Sequence, residues 1–116
     1  MKTTAKPGYA AAPLYVDAFT LCEWLLGHFG DDSRVLPQAL CRCALTLFEA
    51  VTLALKGRRR EAHVEIADEH LIRLRAQLRL AQAMRYLSEG QMLHALERAD
   101  AIGRQLGGWL RSFEPL

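Results

Sequence analysis

The chain has 116 residues, which suits one domain with a single core. Hydrophobic residues make up 51% and charged residues 24%, a composition too apolar for a disordered chain. The formal net charge of +2 excludes a protein drawn to nucleic acid by bulk charge alone. Twelve arginines nevertheless stand against three lysines, a skew toward forked hydrogen bonding to phosphate and carboxylate.

Residues 1–13 contain Pro7, Gly8 and Pro13 and have little to bury, so they are expected to form a flexible N-terminal arm. A domain over residues 14–116 follows. Its first helix is expected from Leu14 to Phe29, and Gly30 with "DDS" makes the turn. Pro37 suits the first turn of a second helix that runs to Lys56. "KGRRR" breaks the chain at Gly57, and a third helix is expected from Glu61 to Leu87. Ser88 followed by Gln91 is a capping box that opens a fourth helix, expected to reach Phe113. The links are short, so successive helices should be antiparallel neighbours. The predicted fold is all-α, an up-down-up-down four-helix bundle.

Three glycines interrupt the fourth helix in "GRQLGGWL", residues 103–110. Each costs roughly 0.5–1 kcal/mol in a helix interior relative to alanine. The large apolar residues Met92, Leu96, Ile102, Leu106, Trp109, Leu110 and Phe113 keep helical spacing through them, so the helix is expected to continue. Ala95, Ala99, Gly103 and Gly107 are four apart and form one ridge of small residues beside that face. Such a ridge, with Trp109, suits close helix packing within the bundle or against another subunit. The expected cost of Gly107→Leu is therefore overpacking.

The first two helices are apolar around most of their circumference. In the second, Gln38, Arg42, Thr46, Glu49, Thr52 and Lys56 trace one narrow polar stripe. Helices of that kind are covered on several sides, which predicts a homo-oligomer. No membrane partner is expected, because Glu49 interrupts the richest apolar run, Ala44 to Leu55. Asp17 interrupts the only early apolar stretch, so no signal peptide is read, and the expected compartment is the cytoplasm. Cys22, Cys41 and Cys43 are odd in number and lack metal-site spacing, which suits small buried side chains.

Charge concentrates after Gly57. Arg58, Arg59 and Arg60 lie at the turn, Arg73, Arg75, Arg79 and Arg85 on the third helix, and Arg104 and Arg111 on the fourth. These are the candidate nucleic-acid and partner contacts, which would hold phosphate without reading sequence. Catalytic and metal sites are not expected. His63 and His70 are seven apart, about 10 Å along a helix axis, and His28 and His94 have no evident partner. No cofactor fingerprint is present.

The stretch "YLSEGQMLHALERADAIGRQLGGWLR" resembles the last helix of the accessory variability proteins of diversity-generating retroelements. "LIRLRAQLRLA" resembles their third helix. The likeness covers about residues 14–113, and Ser88, Gln91, His94, Gly103, Gly107 and Trp109 carry its most specific part. It implies a ring-like homopentamer with a basic surface and no catalytic site. It also implies partnership with a reverse transcriptase and with nucleic acid, template RNA first and DNA second, in mutagenic cDNA synthesis. Two alternatives are a self-assembling bundle of the ribosomal-RNA intervening-sequence type and a helical protein-interaction regulator without a reverse-transcriptase partner.

Overall fold

The computed structural model describes residues 8–115. A short 3-10 helix, Gly8–Ala11, leads into α1 (Pro13–Phe29), α2 (Val35–Leu55), α3 (Arg60–Ala83) and α4 (Glu89–Ser112). The described residues contain no strand. Residues 1–7 of the expected arm lie outside the described residues. Its next residues coil into the 3-10 helix, whose Tyr9 ring meets Tyr15 of α1 edge-on at 5.3 Å.

Apolar residues three and four apart put one face of each helix into a common core. Leu21 and Leu25 of α1, Leu40 and Leu47 of α2, Leu71, Leu74 and Leu78 of α3, and Ile102 and Leu106 of α4 are fully buried. Each contributes about 1.5–3 kcal/mol by leaving water. The helices α1 and α3 both pack on α2 and α4, so α1 and α3 occupy diagonal corners. Helix α2 is long and apolar enough, by length and composition, to cross a bilayer. That span is longer than the run seen in the sequence, because the apolar residues around Arg42 and Glu49 keep the whole helix hydrophobic on average despite those two charges. Its inner face, including Cys43, Ala44, Val51 and Ala54, nonetheless forms bundle core.

Local chemistry sets the helix ends. At the end of α2, Gly57 takes the left-handed conformation, with φ of 83°. Its N–H donates to Ala54 O at 3.0 Å, and the Arg58 N–H donates to Leu53 O at 2.9 Å. That pair of bonds closes a helix in the way glycine favours. At α4 both arms of the capping box form: Gln91 N–H donates to Ser88 Oγ at 3.1 Å, and Ser88 N–H to Gln91 Oε1 at 2.9 Å. The fourth helix then continues through Gly103, Gly107 and Gly108 to Ser112.

Helix α3 stops at Ala83, four residues short of the expected Leu87. Arg85 takes φ of 63°, its N–H donates to Gln82 O at 3.0 Å, and Tyr86 N–H donates to Ala81 O at 2.8 Å. This repeats the closure at Gly57 with arginine in the glycine position, which costs a residue with a side chain roughly 1–2 kcal/mol. Contacts beyond the turn hold it: Leu87 is buried, and the Tyr86 ring lies 4.1 Å beneath the Arg34 guanidinium. Arg34 in turn bonds the Asp32 carboxylate at 2.6 Å, and that contact holds the Asp32 carboxyl down at about 2. Arg85→Gly should therefore stabilise the fold by about 1 kcal/mol, whereas Gly57→Ala should destabilise it by a similar amount. Urea midpoints at one fixed protein concentration check both signs.

Candidate nucleic-acid interface

The α2–α3 turn presents three consecutive arginines on a backbone with little freedom. Gly57 and Arg59 both have positive φ, 83° and 42°. The buried His63 ring bonds the Arg58 carbonyl through Nδ1. Arg60 donates from Nε to Ala54 O at 3.0 Å and lies 4.8 Å over the Trp109 ring of α4. That stacking brings the last turn of α4, with exposed Arg111, to the same end of the bundle as exposed Arg58 and Arg59. Arg104 lies exposed two turns before Arg111. Glu61 and Glu65 share a groove with Arg59 and Arg60, so acids border the cluster on the α3 side.

The remaining arginines do not merge with that end. Arg85 sits beyond the far end of α3, a helix of 24 residues and so about 36 Å long. Arg73 pairs with Glu69 at 2.6 Å on the exposed face of α3. Arg75 points across to α4, where Nη2 meets Asp100 at 3.1 Å and Ala99 O at 3.5 Å. Arg79 lines the same α3–α4 groove and is exposed. Among the described residues, Arg58, Arg59, Arg60, Arg79, Arg85, Arg104 and Arg111 enter no ion pair. Their charge is open to a partner.

The row of small residues divides in function. Ala95 and Ala99 are fully buried in the core. At Gly103 a Cβ would sit 2.5 Å from Arg75 Nη2 and 3.3 Å from Leu71 Cδ2. The missing side chain therefore seats the Arg75 guanidinium. At Gly107 a Cβ would meet only Arg111 of its own helix, at 3.4 Å. The expected close packing at Gly107 has no counterpart among the described residues of the chain. Trp109 is half-buried under Arg60 and 6.3 Å from Phe113.

Two histidines without an evident partner in the sequence meet around one tryptophan. His28 stacks on Trp24 at 5.4 Å and 14°, and His94 of α4 approaches the same ring at 5.5 Å. The described residues hold no group of three metal-ligating side chains. The three cysteines are free and buried. Burial raises all three thiols, Cys22 to about 11, so they stay protonated and poor nucleophiles. One feature that the arginine pattern does not reveal is a polar groove between α2 and α3, lined by Arg42, Thr46, His70, Arg73 and Gln77. Its signal in the sequence is the polar stripe along α2, whose partner helix is known only from the fold.

Fold and surface together define a small antiparallel helical bundle with a fixed arginine turn at one end. Its family follows from comparison with known proteins: the model of the bAvd-like family matches residues 24–113, and the chain belongs to that family. Its members are the bacterial accessory variability determinants of diversity-generating retroelements, accessory and non-catalytic proteins. No curated protein and no solved structure matches the chain.

Proposed function

We propose that this chain is a cytoplasmic, non-catalytic accessory subunit of a diversity-generating retroelement. It binds the reverse transcriptase and template RNA as a ring-like homopentamer and supports mutagenic cDNA synthesis. The observation that carries the nucleic-acid part is the α2–α3 turn, where Arg58, Arg59 and Arg60 stand together without a carboxylate partner on a constrained backbone. Such a turn holds phosphates in place and reads no base. Family membership supports the reverse-transcriptase partner and the subunit count.

Two separate apolar surfaces support assembly. On the α1–α2 side, Val16, Phe19, Leu45 and Leu53 are exposed, Phe19 by 45% and Leu45 by 40%. Phe19 and Leu45 also line an apolar groove of about 290 Å³ with Leu26 and Phe48. On α3, Ile72, Ala76 and Leu80 form an exposed ridge four residues apart, with Ile72 at 58% and Leu80 at 50%. The diagonal placement of α1 and α3 turns these surfaces to different sides of the bundle. Two unlike surfaces on different sides suit head-to-tail contact, which forms a ring when the rotation between subunits closes.

Co-purification of the tagged chain with the reverse transcriptase and template RNA tests the proposal. RNA affinity should fall steeply with salt. Changing Arg58, Arg59 and Arg60 to Gln should flatten the slope by roughly 0.7–0.9 for each phosphate no longer neutralised, without changing the oligomer. Assembly without capture of either partner would favour a bundle that only self-associates.

A further inference from the structure

The two exposed apolar surfaces carry opposite charge. Helices α1 and α2 together hold Asp17, Glu23 and Glu49 against one arginine, Arg42, and no lysine. Asp17 accepts from Gln105 of α4 at 2.8 Å, and Arg42 lines the polar groove shared with α3. Glu23 and Glu49 are exposed and enter no ion pair among the described residues. Glu23 also lines the apolar groove of about 290 Å³, beside Phe19 and Leu26, and is the only charged residue in its lining.

Helix α3 changes sign along its length. Its first half holds Glu61, Glu65, Asp68 and Glu69, whereas Leu71 to Ala83 holds three arginines and no acid. The exposed ridge of Ile72, Ala76 and Leu80 lies wholly in the basic half. Arg75 is spent on Asp100, and Arg73 on Glu69. Arg79, next to Leu80, is exposed and unpaired among the described residues, although Glu97 lines the α3–α4 groove with it.

Any cover over the α1–α2 groove takes Glu23 out of water along with the apolar lining. A buried carboxylate is strongly unfavourable unless a cation comes with the cover. Arg79 and Leu80 bring both parts at once, a cation and an apolar side chain, as neighbours in sequence. A shift of about three turns along α3 would instead set Glu23 against Asp68 and Glu69, and that repulsion excludes the wrong register.

We propose that Leu80 of one subunit seats in the α1–α2 groove of the next, where Arg79 pairs with Glu23 and fixes the register of the contact. This rests on the head-to-tail assembly proposed above. It makes Arg79 a subunit contact rather than an RNA contact.

Sedimentation velocity over a dilution series tests it, by giving the concentration at which the assembly dissociates. Glu23→Arg and Arg79→Glu should each raise that concentration by about tenfold or more, because each replaces a charge pair by a like-charge contact. The double variant Glu23→Arg with Arg79→Glu should recover most of the loss. Glu23→Arg with Arg104→Glu has the same net charge and should recover none. Circular dichroism confirms that each variant folds. A wild-type chain that stays monomeric overturns the assembly and this contact with it. Wild-type assembly with single variants that hold together equally well, or with no recovery in the double variant, overturns the Glu23–Arg79 pair and leaves the assembly standing. Loss of reverse-transcriptase capture in Glu23→Arg, with assembly unchanged, would give the groove to that partner and overturn the proposal. An intact double-variant assembly that binds RNA less tightly overturns the reassignment of Arg79.

Discussion

Leu45→Glu and Leu80→Glu should each reduce the assembly to monomer, and mixing the two variants should yield a dimer. Both leucines lie at the surface of the chain, on the α1–α2 side and on α3 respectively. A carboxylate placed in either apolar contact would be buried without a partner, at a cost on the order of 3–5 kcal/mol. That weakens the contact by about two to three and a half factors of ten. In a head-to-tail ring, each contact joins the α1–α2 surface of one subunit to the α3 surface of the next. The Leu45→Glu chain keeps a sound α3 surface, and the Leu80→Glu chain keeps a sound α1–α2 surface. One contact can therefore form between them, and it cannot propagate. Light scattering on each variant and on the equimolar mixture measures this. Wild-type mass in both single variants would remove these surfaces from the interface. Monomer in the mixture would rule out the head-to-tail arrangement.

Gly103→Leu should destabilise the fold by about 1–3 kcal/mol, whereas Gly107→Ala should stabilise it by roughly 0.5–1 kcal/mol. The two glycines share a helix face, one turn apart, but meet different surroundings. A Cβ at Gly103 would overlap Arg75 Nη2 and press on buried Leu71. Arg75 would then leave its place between Asp100 and the Ala99 carbonyl, and its Nε is already buried without a partner. A Cβ at Gly107 would touch only the flexible end of Arg111. Denaturant unfolding gives both values. An effect of Gly107→Leu on assembly with none on subunit stability would place that turn in a contact between subunits. Equal effects at the two positions would contradict the seating of Arg75 on Gly103.

Much of this fold was legible locally. The break at Gly57, the capping box at Ser88 and Gln91, and the continuous helix through Gly103 and Gly107 all follow from neighbours within four residues. Backbone hydrogen bonds and helix periodicity act over that range, so a linear sequence displays them. The early end of α3 was not legible in this way. Met84, Tyr86 and Leu87 look like further helix, and the left-handed residue is an arginine rather than a glycine. What holds that turn is the burial of Leu87 and the stacking of Tyr86 under Arg34, some fifty residues earlier in the chain.

The candidate sites divide along the same line. Arg58, Arg59 and Arg60 are adjacent in sequence and stay adjacent in space, so composition alone marked them. Arg75 carried the same charge in the sequence, but the fold turned it inward onto α4, where Gly103 leaves room for it. Arg42 stood alone on its stripe until α3 brought His70, Arg73 and Gln77 opposite. By itself the sequence determined the helices, their order and the arginine turn, because these depend on contacts between near neighbours. The tertiary structure decided which arginines are free and which polar residues share a groove, because those outcomes depend on how helices far apart in the chain are rotated against one another.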